Sequence, residues 1–187
     1  MSDALRLASV NVNGIRAAVR NGMHDWLGGA GVDVLTLQEV RATAADLAVA
    51  LPDWHIENDE SHTKGRSGVA IASRVAPVAV RRGLGDDTVD AAGRWIEADF
   101  EVGGQTVCVV SAYVHSGEVD TPKQEAKWLF LDAMGERLAA LSTERPLAVV
   151  TGDLNGGHRE LDIRNWKGNV KRAGFLPRER AYFDRFL

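Results

Sequence analysis

Cysteine is almost absent. Cys108 is the one thiol in 187 residues, which excludes an internal disulfide framework and a Cys-x-x-Cys zinc site. No apolar run approaches the ~18 residues that a membrane span needs. The opening MSDALRLASV has no basic stretch followed by a long apolar one, so no secretory signal is expected. These absences fit a reducing, cytoplasmic setting. Repeats, low-complexity stretches and interdomain linkers are missing too. The hydrophobic content of 45% excludes a disordered or collagen-like chain. The length of 187 residues favours a single domain over 1–187.

An excess of positive charge is also lacking, with 22 Lys+Arg against 26 Asp+Glu for a net −4. The balance is uneven. From His158 onward Arg159, Arg164, Lys167, Lys171, Arg172, Arg178, Arg180 and Arg185 outnumber Glu160, Asp162, Glu179 and Asp184. That segment carries +4 and the preceding 157 residues −8. Such a stretch is either a solvated face or a local attractor for a polyanion on an acidic body.

What is present is a series of strand-like runs: Leu5–Val12, Val32–Gln38, Gly68–Ser73, Arg94–Glu101, Thr106–Val114 and Leu147–Gly152. Several are apolar almost throughout, which suits strands covered on both faces in a layered α/β protein. Helical patterns lie between them, at Asn21–Leu27 before a Gly28-Gly29 stop and at Ala44–Leu51. The longest starts at Thr121-Pro122-Lys123-Gln124, which reads as a capping box with Pro at the first helical position. It aligns Phe130, Met134, Leu138 and Leu141 on one stripe and ends before Pro146. Gly83–Gly93 reads as a polar loop.

Polar clusters close four of the strands: Asn11-Val12-Asn13-Gly14, Leu37-Gln38-Glu39, Tyr113-Val114-His115-Ser116-Gly117 and Gly152-Asp153-Leu154-Asn155-Gly156. Ligands of layered α/β proteins bind at the carboxyl ends of strands, so these clusters can converge on one crevice. Each alone could be an ordinary turn cap. Together, Asp153, Asn155, Glu39, Asn11 and Asn13 form an oxygen-donor set without a Cys or a close His pair. That set suits Mg²⁺ or Mn²⁺, which retain water and substrate phosphate in their shell.

The stretches NVNGIRA (11–17), LQEVRA (37–42), GRSGVAIASR (65–74), AYVHSGE (112–118), GDLNGGH (152–158) and LDIRNWKGNVKRAGFLPRER (161–180) carry a resemblance. On them the chain resembles the exodeoxyribonuclease III family of abasic-site endonucleases, within the endonuclease/exonuclease/phosphatase superfamily. The resemblance implies a DNase I-like four-layer α/β sandwich, two β-sheets face to face with helices outside, and a C-terminal portion of the second sheet missing from this chain. It implies a Mg²⁺-dependent DNA repair nuclease that cuts at abasic sites, degrades 3′ ends, removes 3′ phosphates, and leaves 3′-hydroxyl and 5′-phosphate products. The metal ligands are then Glu39, Asn11, Asp153 and Asn155. Asp153 activates the attacking water, and Asn155, Asn11 and Tyr113 hydrogen-bond the phosphoryl oxygens. DNA contacts are expected from Asn13, Arg41, Arg66, Arg94, Ser116, Lys167, Lys171 and Arg172, with Lys123 a further candidate. Trp166 is either a platform beside the DNA backbone or a packing residue.

Three departures accompany the resemblance. The family's later Ser-Asp-His motif has no counterpart among His24, His55, His62, His115 and His158, so the chain is expected to be a stretch of a longer protein with a bare inner sheet face. His115 stands where the family usually has Pro. Ala92 replaces the Glu before Gly93-Arg94, which removes the usual partner of Arg94. Two other readings remain open: a phosphodiesterase of another superfamily branch, and a non-catalytic DNA-binding module.

Overall fold

The computed structural model describes residues 4–186; Met1–Asp3, which open the segment searched for a secretory signal, and Leu187 lie outside it. In chain order the elements are β1 (Leu7–Asn11), α1 (Ile15–Arg20), α2 (Met23–Ala30), β2 (Val34–Gln38), α3 (Ala44–Ala50), β3 (His55–Asp59), β4 (Val69–Ser73) and β5 (Ala79–Arg82). Then follow α4 (Asp87–Asp90), β6 (Trp95–Val102), β7 (Gln105–Tyr113), α5 (Pro122–Glu144), β8 (Ala148–Asp153), a 3₁₀ turn (Glu160–Asp162), α6 (Trp166–Asn169) and α7 (Pro177–Phe186). They form two compact units. One comprises the residues up to 113 together with 144–153, and the other comprises 114–143 and 154 onward.

The first unit holds both sheets, with strand orders β1-β2-β4-β3 and β5-β6-β7-β8. β2 and β4 are buried along their whole length, as their unbroken apolar character predicts. Alternation sorts the β2 side chains. Leu35 and Leu37 join Ile15, Leu27, Leu47 and Leu51 in a core beneath α1–α3. Val34 turns the other way and packs with Ile71, Ile96, Phe100 and Val109 between the sheets. Helix α3 starts with a reciprocal cap: the Asp46 amide donates to Thr43 Oγ1 and the Thr43 amide to Asp46 Oδ2, satisfying two helix-end donors.

The inner faces therefore cover each other, and the bare face expected from the sequence is confined to an edge. The reason is topological: β5, β6 and β7 lie within this chain and, with β8, pack against the first sheet. Along the edge strand β8 apolar surface remains, with Val149 43% exposed.

The predicted strands are all present, with ends shifted by at most two residues. Two strands were missed, β3 and β5, and so were helices α1 and α6. The loop expected over 83–93 contains α4, whose start Asp86 caps by accepting from the Thr88 and Val89 amides. The capping box predicted at Thr121 does not form. Thr121 Oγ1 accepts from the Lys123 amide, while the Gln124 side chain is buried and donates to Glu179. No helix among the described residues is long and apolar enough to cross a membrane.

Candidate active site

Strand direction brings the polar clusters of the first unit together. β1 runs parallel to β2 with Asn11 opposite Gln38, and β7 runs parallel to β8 with Tyr113 opposite Asp153. The sheets also meet through polar side chains at this end. Gln38 Nε2 donates to Ser111 Oγ (3.0 Å), which donates to the Leu37 carbonyl (3.1 Å). Thr36 and Thr151 hydroxyls lie 2.7 Å apart. Each hydroxyl also has a carbonyl within reach, Val110 for Thr151 at 2.8 Å and Ala8 for Thr36 at 3.4 Å, so either can be the donor of that pair. These bonds set the spacing between β2 and the β7–β8 pair, and so the distance across the crevice.

Asn11 occupies its centre. Its Nδ2 donates to Glu39 Oε1 at 2.9 Å and to Asp153 Oδ2 at 2.8 Å. Its Oδ1 accepts from the Asn13 amide at 3.0 Å. A backbone N–H can only donate, so this last bond fixes which way the amide faces. One carboxamide thus holds two carboxylates from residues 114 positions apart in the sequence. Asp153 follows Gly152, where φ is +143° and a Cβ would fall 1.9 Å from the Ala112 carbonyl oxygen. Only glycine lets β8 approach β7 this closely.

Glu39 sits just past β2 with φ +53°, and Asn13 (φ +45°) and Arg41 (φ +51°) share the left-handed region. Backbone bonds hold this unusual turn, including Gly14 N–H to the Glu39 carbonyl at 2.7 Å and Arg41 N–H to the Ser67 carbonyl at 2.9 Å. Non-glycine residues held in this region concentrate at functional sites. Burial pushes the Glu39 pKa up, but hydrogen bonds from Asn11, Tyr113 and Arg41 outweigh it, and the carboxyl titrates below its ordinary value. Tyr113 moves the opposite way: burial, then its bond to Glu39, raises the phenol pKa. Tyr113 is therefore a neutral donor to a firmly ionised carboxylate.

Arg94 is partly buried behind Tyr113. Its guanidinium lies 4.3 Å from the ring centroid and donates to the Tyr113 carbonyl at 3.0 Å. Its buried Nε lacks a hydrogen-bond partner among the described residues, consistent with Ala92 in place of an acidic neighbour. Arg41 and Arg66 are exposed, and Arg41 pairs with Glu39. Arg16, Arg20 and Arg41 line one open groove with Gly14 and Gly65. Sequence reasoning missed Arg16 and Arg20; the signal available was their position straight after NVNG.

The second unit carries the remaining candidates. Asn155 (φ +45°) donates through Nδ2 to the Val114 carbonyl at 2.9 Å. Ser116, Lys123, Lys167, Lys171 and Arg172 are exposed. Trp166 is half-buried with the Lys167 ammonium 5.6 Å from its ring centroid. Two further residues were missed altogether, Lys127 on α5 and Glu179 on α7, which form an ion pair with each side chain 1% exposed. The signal was Lys127 itself, a charge at helical spacing on the apolar stripe of Phe130, Met134 and Leu141.

The oxygen-donor character of the crevice fits a hard divalent cation. Among the described residues no group of three His, Cys, Asp or Glu side chains gathers closely enough to encage a metal. Two carboxylates without a third ligand of these types suit a cation that keeps water and binds substrate oxygen.

A two-sheet α/β fold with paired carboxylates at the strand tips defines a class, and the chain belongs to it: the endonuclease/exonuclease/phosphatase family, matched over residues 8–186. Within it the chain is similar to nucleases. It is 31% identical over 184 residues to an exodeoxyribonuclease of Bacillus subtilis (strain 168), covering 98% of this chain and 71% of that protein. It is 33% identical over 192 residues to the DNA repair nuclease APEX1 of Danio rerio, covering 98% of this chain and 59% of that one. Among solved structures, a 3′ phosphatase from Neisseria bound to a product DNA hairpin superimposes with a TM-score of 0.85 at 26% identity. That match covers 98% of this chain and 70% of the other. The chain thus spans between three-fifths and about seven-tenths of the length of these relatives.

Proposed function

We propose that this chain carries the catalytic centre of a divalent-metal-dependent DNA repair nuclease. It hydrolyses DNA phosphodiesters at abasic sites and at 3′ ends, removes 3′ phosphates, and leaves 3′-hydroxyl and 5′-phosphate products. The observation that carries the reading is the Asn11 amide bridging Glu39 and Asp153, with Tyr113 bonded to Glu39. The similarity to DNA repair enzymes supports DNA as the substrate.

Glu39 and Asp153 would hold Mg²⁺, or Mn²⁺ in its place, with Asn155 beside them in the chain; the cation when bound withdraws charge from the scissile phosphate. Glu39 is suited to that task because its hydrogen bonds keep it ionised. Asp153 accepts a proton from the attacking water. Asn11 gives both amide hydrogens to the two carboxylates and so orients them, while Asn155 and, on leaving Glu39, the Tyr113 hydroxyl donate to phosphoryl oxygens as negative charge grows there. Arg94 braces Tyr113 from behind. Arg41, Arg66 and the Arg16–Arg20 groove offer cations to the DNA backbone, joined by Asn13 in the first unit and by Ser116, Lys167, Lys171 and Arg172 in the second. Contacts of this kind are sequence-independent and weaken with salt.

The test is a substrate panel with Mg²⁺: an abasic-site duplex, a 3′-phosphorylated duplex, RNA and inositol phosphates. Cleavage of the two DNA substrates alone is expected. Asp153→Asn should lower kcat by about 10²–10⁴-fold, the range of general-base catalysis. Glu39→Gln should shift the Mg²⁺ titration to higher concentration. Equal activity in Asp153→Asn and the parent protein would overturn the assignment.

A further inference from the structure

The second unit contains a charged pair that the proposed chemistry does not use. Lys127 and Glu179 are each 1% exposed, with Nζ and Oε1 2.7 Å apart. A lysine ammonium has three N–H donors and no acceptor. Here all three are used: one goes to Glu179, one to the Asn155 carbonyl at 2.8 Å, and one to the Ser116 carbonyl at 3.3 Å. Glu179 is equally committed. Its Oε2 accepts from the Leu176 amide at 2.9 Å, at the start of α7, and its Oε1 from Gln124 Nε2 at 3.3 Å.

Stability does not account for this arrangement, because a buried ion pair is often no better than an apolar pair of the same volume. Its geometric effect is more specific. Asn155 holds a left-handed backbone, φ +45°, which a non-glycine residue keeps only when its surroundings enforce it. Lys127 grips the carbonyl of that residue, and the Asn155 side chain donates to Val114 at 2.9 Å. Both loops that flank Lys127 are packed tightly. A Cβ on Gly117 would meet Gln124 Oε1 at 2.5 Å and Lys127 Cδ at 3.0 Å, and one on Gly156 would meet Phe183 at 3.1 Å.

We infer that Lys127, held by Glu179, is a positioning residue: it fixes the backbone of Asn155 and thereby aims its side-chain amide. The inference rests on the proposed role of Asn155 in the reaction, and deepens it. Lys127 is buried and touches no reacting atom, so its influence passes through Asn155.

The test compares the full chain with Lys127→Met/Glu179→Gln, which removes both charges together and so leaves no buried charge unpaired, and with Lys127→Arg, which keeps charge and donors. Two readouts are needed. The first is solvent exchange of the Asn155 side-chain amide by NMR. In the double variant it should accelerate by at least about tenfold while the melting temperature stays close to that of the parent. The second is steady-state cleavage of an abasic duplex, where kcat should fall by about tenfold to a hundredfold with KM within about twofold, as expected for a displaced reacting group. Lys127→Arg should restore most of both. A folded double variant with unchanged Asn155 exchange would overturn the inference, as would Lys127→Arg behaving no better than the double variant. A parent chain inert on every DNA substrate would instead defeat the proposed function, and the NMR readout would still decide the role of Lys127.

Discussion

Asn11 is a neutral side chain where a third acid would be damaging. With its oxygen committed to the Asn13 amide, it presents two N–H groups to two carboxylates and spares them mutual repulsion. Asn11→Asp keeps the size and the bond from Asn13 but sets three carboxylates side by side. Like charges this close disfavour ionisation, and an uncompensated cluster costs on the order of 1–3 kcal/mol. The variant should melt at lower temperature than the parent in a metal-free buffer, and added Mg²⁺ should recover the loss. Thermal melts with and without the cation measure this; a variant insensitive to both would show that the amide bridge is not what holds the crevice.

At the scale of elements, β3 and β5 explain what sequence patterning does not see. Both are edge strands. β3 reads His-Ile-Glu-Asn-Asp and β5 reads Ala-Val-Arg-Arg, with no apolar run. Their charges are satisfied across the structure, Arg82 with Glu57 and Arg81 with Glu97 and Asp99. Polar edges of this kind discourage strand-to-strand aggregation. One charge on β3 has a cost. Burial, against the help of the Trp95 amide, pushes the Asp59 pKa up from 3.8 to about 6. The native state then binds the proton more tightly than the unfolded chain does, so this residue's contribution is best below the unfolded value and worsens as pH rises through about 6. Asp59→Asn should therefore stabilise the protein at pH above that value by about 1–2 kcal/mol, allowing for partial solvent screening. Below pH ~4 the advantage should vanish. Urea unfolding across this range checks the sign, and an advantage that grew as pH fell would refute it.

At the scale of the molecule the uneven feature is β8. Leu147 and Val149 are each 43% exposed and Val150 is 37% exposed, on or beside a strand with one unpaired edge. An apolar, unpaired edge is an adhesive surface. This chain should therefore associate with rising concentration, and Val149→Lys should reduce the association without lowering the melting temperature. Sedimentation velocity at several concentrations reads the difference; equal association in both proteins would show that this edge does not drive it.

Local chemistry made much of this protein legible before any coordinates. The unbroken apolar runs marked β2 and β4 as strands covered on both faces, since only such strands need no polar side. The helical pattern over Ala44–Leu51 marked α3. The oxygen-only clusters at 11, 39, 113 and 153 marked the crevice, because polar residues that follow apolar strands must emerge at strand tips. Other features belong to tertiary structure alone. The Asn11 bridge depends on strand directions and registers that bring positions 39 and 153 to one amide. The burial of Lys127 depends on two loop carbonyls and a glutamate distant in sequence. Composition and spacing constrain which groups are available, whereas the pairing of groups far apart in the chain is set by packing, where each donor finds the acceptor that the fold leaves within reach.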